Sequence, residues 1–468
     1  MDALKLVELK MRQAGLGCTV IRAFRQNYLA LVSGETGLIP EGSIQPVENL
    51  PRLEEFRREI SNERASELVS QTVVFKLNGG LGTSMGLDKA KSLIEVKNGL
   101  NFLDFTARQI LHLREKFHAP LRFLVLNSFN TSVDTLRHLQ TYPDLGGGDL
   151  PLQLIQSKAP KLCADTLLPV EWPEQPELEW CPPGHGDLYP TLAACGLMEK
   201  FSRLGIRYLF ISNSDNLGAN LDLGLLDYFA TSEIPFLMEV AERTASDKKG
   251  GHLARNAEDG RLLLRESAQC RDEDGAVFQD ITRHRFFNTN NLWVRVDRLE
   301  QELKANGDVL PLPLIRNIKT VDPRNKKSPQ VVQLETAMGA AIQLFEGAGA
   351  VVVPRRRFAP VKTTSDLLAL RSDAYRINKD FTLELAPERN GVPPAIRLED
   401  GHYKMMDSFE LAFGDAVPSL KACQSLEIKG PVRCAGGVRV EGKVKILNSA
   451  PERKEWKAGV YRDAEVGL

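Results

Sequence analysis

The stretch Val73–Lys91, VVFKLNGGLGTSMGLDKAK, constrains this chain more than any other, because an apolar β-type run empties into four glycines within eight positions. A strand ending in a Gly-rich turn marks the carboxyl edge of an α/β sheet, where such folds bind their ligands. Glycine permits positive φ and leaves backbone N–H groups uncovered, so several can converge on phosphate oxygens. Two common phosphate motifs fail on spacing. A Walker A loop needs glycine directly before Lys-Ser/Thr, but Leu87-Asp88-Lys89-Ala90 separate Gly86 from Lys91-Ser92. The dinucleotide fingerprint G-x-G-x-x-G fails as well, since Thr83-Ser84-Met85 lie between Gly82 and Gly86.

Around this loop, short β-rich runs alternate with helix-length amphipathic segments, the pattern of an α/β layer structure. Strands are expected at Thr72–Leu77, Ser92–Lys97, Leu121–Asn127, Leu152–Gln156 and Tyr208–Ser212, with helices at Phe102–Phe117, Val133–Gln140 and Leu188–Leu204. Further strands near Phe236–Val240, Arg261–Arg265 and Leu292–Val296 follow at hairpin distances, so the sheet should be mixed. A helix over Val331–Glu346 is expected to lead into a strand at Ala350–Val353. Ahead of the loop, Leu4 to about Val69 reads as helices interrupted by the turn Gly37–Gly42, and a brace is expected there. Past Tyr375 the periodicity lapses through Pro387, Pro393 and Pro394. Ser425–Asn448, SLEIKGPVRCAGGVRVEGKVKILN, then alternates apolar and polar residues between glycine turns, as stacked strands of a β-helix or small sandwich do.

At 468 residues the chain is too long for one core, since single cores stop growing near ~250 to 300 residues. Lys plus Arg is 60 against 61 Asp plus Glu, a net charge of −1. No global field therefore gathers nucleic acid or an anionic membrane. The hydrophobic fraction of 43% and charged fraction of 26% are those of an ordinary globular protein. The longest apolar runs, such as Leu121–Leu126, are strand-sized, and the amino terminus lacks a signal-type apolar core, so a cytoplasmic address is expected. Seven cysteines form no C-x-x-C pair and the histidines no H-E-x-x-H, which fits a reduced compartment and argues against zinc.

Four further passages carry residues fit for chemistry. Pro182–Asp187, PPGHGD, is a turn opening a helix at Leu188, whose N-terminal donors could face an anion or a polar base. Tyr208–Gly218 runs from a strand into Asp215, a hard carboxylate suited to Mg²⁺ against phosphates, or alternatively a cap for a helix near Leu221. In Phe286–Leu292, strand alternation puts Asn288 and Asn290 on one face, suited to sugar hydroxyls or to a structural amide ladder. Pro354–Asp366 gathers Arg355, Arg356, Arg357 and Lys362. A solvated basic loop is one reading of it; Lys362, leading into a helix capped by Thr364 or Ser365, is the cation best placed to be held.

KLNGGLGTSMG (Lys76–Gly86), NSFNT (Asn127–Thr131), PPGHGD, SNSDNLGA (Ser212–Ala219), KKGGHLA (Lys248–Ala254), FFNTNNLW (Phe286–Trp293), QLETAMGAAI (Gln333–Ile342) and PRRRFAPVKTTSDLL (Pro354–Leu368) follow one another in this order. Together they closely resemble the eukaryotic-type UTP–glucose-1-phosphate uridylyltransferase (UDP-glucose pyrophosphorylase) family over roughly residues 50–450. The spelling of KKGGHLA, RESAQC and HYKMM (His402–Met406) looks most like the trypanosomatid-type branch.

That resemblance implies an α/β fold: a Rossmann-like, GT-A-like mixed-sheet nucleotidyltransferase domain over 51–380, an N-terminal helical extension over 1–50 and a C-terminal left-handed β-helix over 381–468. It also implies a reversible, Mg²⁺-dependent reaction of UTP and glucose 1-phosphate to UDP-glucose and pyrophosphate. Leu77, Asn78, Gly79 and Gly80 would meet the uridine and phosphates, and Gln156 and Gly184 the uracil. His185, Asn213, Ser214, Gly251, Glu266, Asn288 and Asn290 would face the sugar phosphate. Lys91, Asp215 and Lys362 would work at the phosphates, with Asp215 on the metal. The implied partners are these small molecules, with neither nucleic acid nor membrane, and the implied state is a monomer or weak homo-oligomer. The nearest alternative is a broad UDP-sugar or UDP-N-acetylhexosamine pyrophosphorylase, although those enzymes spell Arg-Leu-Gly where this chain has Ser84-Met85-Gly86. An inactive sugar-nucleotide-binding scaffold is a third reading; loss of Lys91, Asp215 or Lys362 would mark it, and all three are present.

Overall fold

The computed structural model describes residues 3–56, 59–146, 148–244, 247–248 and 250–468. Thr72–Asn78, rich in β-branched and aromatic residues, is a central buried strand. It pairs in parallel with Tyr208–Asn213 on one side and Arg122–Asn127 on the other, and Gln153–Ile155 continues the parallel part. Tyr208–Asn213 also pairs antiparallel with the long strand Phe286–Arg295, beyond which lie His252–Asn256 and the edge strand Ile44–Pro46. Phe236–Glu242 and Gly349–Val352 branch from Phe286–Arg295, and Leu262–Arg265 pairs with His252–Asn256. The ten-stranded sheet is therefore mixed, as expected.

Alternate residues of the central strand feed two cores, which is why it reads as a continuous apolar run. Val73 and Phe75 pack with Leu188, Tyr189 and Phe201 on one face. Val74 packs with Leu68, Ile110 and Phe229 on the other. The helix Phe102–Phe117 has its expected bounds and is opened by a capping box between Asn101 and Asp104.

Several expectations give way to tertiary contacts. The helix expected over Val331–Glu346 is absent: Gln330–Glu335 is a strand between Ile315–Thr320 and Leu162–Cys163, followed by a 3-10 turn at Met338–Gln343. Adjacent β-branched Val331 and Val332 favour the pleat. Thr336 is tied instead to the backbone of Pro183 and Gly186, which takes the donor and acceptor a helix would have used. The helix expected over Leu188–Leu204 breaks at Gly196, φ 61, into Leu188–Ala194 and Leu197–Arg203. Of Ser92–Lys97 only Glu95–Lys97 forms a strand, because Lys91–Leu93 closes a 3-10 turn. The helix Thr364–Arg371 is capped by Thr363, through a capping box with Asp366, rather than by Thr364 or Ser365. Asp215 caps no helix; Asp222 caps Leu223–Thr231.

At the carboxyl end, Ala395–Leu398, Ser419–Lys429, Val438–Leu447 and Gly459–Arg462 stack as parallel strands. Val432–Cys434 and Lys454–Trp456 form a second parallel pair. Leu426, Ile428, Val444, Ile446 and Trp456 belong to one apolar cluster, which continues through Leu367 and Val361 to Met85 and Phe105. The C-terminal strands thus share a core with the underside of the Gly-rich loop. The aperiodic span before them holds two helices that sequence periodicity did not reveal, Asp400–Tyr403 and Met406–Phe413. At the other end, Ala3–Gln13 and Cys18–Val32 pack with Leu162, Cys181 and Leu334 beside the sheet. Among the described residues, no helix is long and apolar enough to cross a membrane.

Candidate active site

The parallel strands Thr72–Asn78 and Tyr208–Asn213 end at a cleft of about 330 Å³, the position at which open α/β sheets hold ligands. Leu77, Gly79, Gly80 and Lys91 line it from the Gly-rich side, Gln156, Gly184 and His185 from one wall, and Asn213, Ser214 and Asp215 from the other. A second cleft of about 260 Å³ shares Gly184 and His185 and adds Glu266 and Asn290. Residues far apart in sequence, from Leu77 to Asn290 and beyond, therefore meet around two contiguous spaces.

Opposite charges face each other in the larger cleft. Lys91 Nζ donates to Asp215 Oδ2 at 2.7 Å. The turn carrying Asp215 is held by the segment that leads to Lys362: Val361 N donates to the Asp215 carbonyl at 3.3 Å, and Ala359 N to Asn216 Oδ1 at 2.9 Å. Lys362 itself is exposed and lines neither cleft; its ammonium lies 6.0 Å from the ring centres of Phe287 and Phe358. Nearby, burial raises the Glu266 pKa, while the Lys362 charge and a hydrogen bond from Asn288 work against that rise.

The neighbouring basic run is not simply a solvated loop. Arg357 is buried and makes a bidentate pair with Glu239, Nε to Oε2 and Nη2 to Oε1, both at 2.7 Å. Trp293 Nε1 donates to the same carboxylate at 2.9 Å. With its lone pairs satisfied in this way, Glu239 is the principal counter-charge of a buried cation, with the Asp222 carboxylate 3.9 Å from Arg357 Nη1. Arg355 pairs with Asp247 at 3.0 Å.

The wall around Gly184 is built from backbone. Gly184 has φ 82, and a side chain there would fall on the Thr336 carbonyl oxygen. Gln156 Nε2 donates to the Gly184 carbonyl at 2.8 Å. The helix-opening donors foreseen for this turn are partly used inside the protein, since Gly186 N bonds the Thr336 carbonyl at 2.9 Å. His185 Nδ1 accepts from Met338 N at 2.9 Å. Its neutral ring must therefore carry the proton on Nε2, and burial pushes its pKa down to about 4. Asp187 accepts from Ser157 N at 2.7 Å, Thr191 Oγ1 at 3.0 Å and Ser157 Oγ, so it locks Gln156 and Ser157 to the His185 turn.

Other expected residues are placed differently. The Asn78 side chain lies under the loop, bonded to Asn127 Oδ1, Thr135 Oγ1 and Ser214 Oγ at 2.8, 2.9 and 2.8 Å. Asn288 and Asn290 do come together, but through a bulge and a φ of 59 at Asn290 rather than by strand alternation. Asn290 N donates to Asn288 Oδ1, and Asn288 Nδ2 to Asn290 Oδ1, each at 2.9 Å. Gly251 lines neither cleft; its carbonyl accepts from Asn288 N at 3.2 Å. Within KKGGHLA, Lys249 lies outside the described residues. Glu335, Thr336 and Asn317 line the second cleft and were not foreseen. The motif QLETAMG held the only available signal for the first two, masked by the expected helix.

The arrangement offers paired charges, oriented N–H donors and a neutral imidazole donor, with no nucleophile–base pair among the described residues. Such a site suits charge neutralisation between phosphates. Residues 21–440 match the sequence model of the UTP–glucose-1-phosphate uridylyltransferase family. The chain is 37% identical over 460 residues to the UTP–glucose-1-phosphate uridylyltransferase of Solanum tuberosum, covering 95% of this chain and 92% of that protein. It is 39% identical over 389 residues to the probable UTP–glucose-1-phosphate uridylyltransferase of Schizosaccharomyces pombe, covering 83% and 75%. Among solved structures, a UDP-glucose pyrophosphorylase mutant of Leishmania major in complex with UDP-glucose superposes with a TM-score of 0.93, at 47% identity and full coverage of both chains. A UDP-glucose phosphorylase of Trypanosoma brucei superposes at 0.91, with 48% identity and full coverage. The higher identity to the two trypanosomatid chains agrees with the spelling of KKGGHLA and HYKMM.

Proposed function

The chain belongs to the family of UTP–glucose-1-phosphate uridylyltransferases, and on that premise we propose that the two contiguous clefts are the nucleotide and sugar-phosphate halves of one active site. The enzyme converts UTP and glucose 1-phosphate into UDP-glucose and pyrophosphate. In this reading Leu77, the backbone of Asn78, Gly79 and Gly80 hold the nucleotide, while Gln156 and the Gly184 backbone read the uracil edge. His185, Asn213, Ser214, Glu266, Asn288 and Asn290 hold the sugar phosphate, with Gly251 leaving room beside Glu266. A sugar-phosphate oxygen attacks the α-phosphorus of UTP in line, pyrophosphate leaves, and the reverse reaction uses the same geometry. No side chain forms a covalent intermediate.

The observation that carries this reading is the Lys91–Asp215 pair in the 330 Å³ cleft, next to the Gly-rich loop. Two anionic phosphates must approach each other, and fixed donors offset their repulsion without reorganising at the moment of reaction. Lys91 contributes a cation from within the cleft. Lys362 contributes a second from its rim, where a rotation of its long exposed side chain moves the ammonium off the rings of Phe287 and Phe358. His185 contributes its Nε2 proton as a hydrogen-bond donor and, being neutral, retains it.

Asp215 fits Mg²⁺ as a single hard carboxylate, because Mg²⁺ usually takes one or two protein carboxylates and draws its other ligands from phosphates and water. Among the described residues, no group of three or more His, Cys, Asp or Glu converges as a resident cage would require. When bound, Mg²⁺ would supply charge neutralisation on the phosphates.

We further read the chain as an extension over 1–50, a catalytic unit over 51–380 and a β-helix over 381–468 whose parallel coils are left-handed. It works in the cytoplasm as a monomer or weak homo-oligomer. Pyrophosphate release measured over glucose, galactose and N-acetylglucosamine 1-phosphates, with UTP against other nucleotides, tests the site. Preference for UTP and glucose 1-phosphate is expected; equal turnover of N-acetylglucosamine 1-phosphate would overturn the assigned sugar pocket.

A further inference from the structure

Outside both clefts, a buried polar cluster ties the N-terminal segment to the strands behind the smaller one. Glu41 opens the turn Glu41–Ser43, which runs directly into Ile44–Pro46, the edge strand antiparallel to His252–Asn256. Its carboxylate accepts from Arg265 Nη1 at 2.7 Å, Arg283 Nε at 2.8 Å and His284 Nε2 at 3.0 Å. Arg265 donates again to Asp274 Oδ2 at 2.9 Å, and that same oxygen accepts from Glu41 N at 2.9 Å. Arg265, His252 and His284 are fully buried, and the two imidazoles stack with centres 3.8 Å apart. Burial disfavours the Glu41 carboxylate, yet Arg283, His284 and Arg265 outweigh it and hold its pKa below the usual range.

The cluster borders the smaller cleft through its immediate neighbours. Arg265 precedes Glu266, His252 follows Gly251, and the two strands pair His252 with Arg265. The Glu266 carboxylate packs against Gly251 so closely that a Cβ there would lie 2.5 Å from Oε2. Glu266 in turn lines the cleft with His185 and Asn290. A second thread reaches the same turn: Ile39 N donates to the Gln269 carbonyl at 2.8 Å, and Gln269 Oε1 accepts from Glu266 N at 2.9 Å. The segment around Glu41 therefore grips the chain on both sides of Glu266. An Arg265 guanidinium with no access to water depends on its two carboxylates for compensation, so loss of Glu41 must displace it.

We propose that Glu41 is a positioning residue for the sugar-phosphate side of the site: through Arg265 and His284 it fixes Glu266 against Gly251 and so sets the affinity for the hexose 1-phosphate. The inference rests on reading the smaller cleft as the sugar-phosphate subsite. A residue that merely holds the fold would, on removal, weaken both substrates alike or lower the thermal midpoint alone.

The test compares Glu41→Gln, Glu41→Asp and Glu266→Gln in the full chain, with KM measured separately for each substrate. Glu41→Gln is expected to raise KM for glucose 1-phosphate by about tenfold or more and leave that for UTP within about twofold. Glu41→Asp, which keeps the charge, recovers most of the loss. A parallel rise for both substrates overturns the proposal, as does wild-type KM in Glu41→Gln when Glu266→Gln alone raises it. Unchanged glucose 1-phosphate KM in Glu266→Gln overturns the subsite reading itself. If Glu41→Gln does not fold, Arg283→Gln removes one of the three donors from an exposed position; a smaller rise confined to glucose 1-phosphate is expected, and no rise overturns the proposal.

Discussion

Lys91 and Asp215, 124 residues apart in sequence, are joined by a 2.7 Å hydrogen-bonded ion pair in the larger cleft. Each is the other's counter-charge before substrate arrives. On the proposed reading, truncating Lys91 leaves the Asp215 carboxylate without its partner beside incoming phosphates and removes a cation that would offset transition-state charge. Lys91→Ala is expected to lower kcat by about 100-fold or more, and Lys362→Ala by a similar factor. Pyrophosphate release at saturating substrates measures this, and near-normal turnover in both variants would take the two lysines out of the reaction.

Metal removal should separate chemistry from folding. Asp215 is a single carboxylate, and among the described residues no three-ligand cluster exists to hold a metal in the free enzyme. A metal recruited only with substrate cannot stabilise the free fold by mass action. Chelation is therefore expected to abolish turnover, with recovery on adding Mg²⁺, while the thermal midpoint of the free enzyme shifts by no more than about 1 °C. A fall of several degrees would reveal a resident structural metal instead.

What sequence revealed divides along physical lines. The Gly-rich loop, Asp215 and the PPGHGD turn were legible because strand-to-loop junctions at a sheet edge are local features, set by residue type over a few positions. Val331–Glu346 was misread because its fate is decided by Pro183 and Gly186, which lie far earlier in the chain and whose backbone groups bond Thr336. Asn288 and Asn290 were correctly paired for the wrong reason: alternation was invoked, whereas a bulge and a positive φ bring them together. A solvated loop stayed open as a reading of Arg355–Arg357 because the partner of Arg357, Glu239, lies on a strand distant in sequence. The proton position on His185 was beyond sequence altogether, since Met338 N fixes it.

Gly184 gives the sharpest substitution test. With φ 82 and the Thr336 carbonyl where a methyl would go, Gly184→Ala combines backbone strain with overlap against rigid backbone. A loss of about 2 kcal/mol or more of stability is expected, together with weakened UTP binding because Gly184 borders both clefts. Gly80 is the contrasting position. It lines the larger cleft, yet a Cβ there meets no atom within 4 Å, so Gly80→Ala should keep the wild-type thermal midpoint and lose UTP affinity by titration. Wild-type UTP binding in both variants would remove this wall from the nucleotide site.

Acid should destabilise the fold through three histidines, His252 and His284 in the interior and His185 at the clefts. Burial pushes His185 down to about 4. Burial also depresses His252, helped by the charge of His284 and the nearby arginines, and it depresses His284, where Glu41 pulls the other way and Arg283 and Arg265 add to the lowering. The unfolded chain protonates each of these near pH ~6.5, whereas the folded chain does not until lower pH. Their contribution to stability is therefore complete above about pH 6.5 and is lost progressively as pH falls below it, through about 4 for His185. Asp187, raised by burial to about 6, and Glu266, also raised by burial, act with the opposite sign, because the folded chain keeps protons that the unfolded chain releases. Three groups against two leave a net uptake of protons on unfolding near pH ~5.5. The thermal midpoint should accordingly be lower at about pH 5 than at about pH 7.5. Calorimetry in buffers of different ionisation enthalpy measures that uptake directly. Net proton release at the lower pH would show that Asp187 and Glu266 dominate and that the histidines are not held neutral.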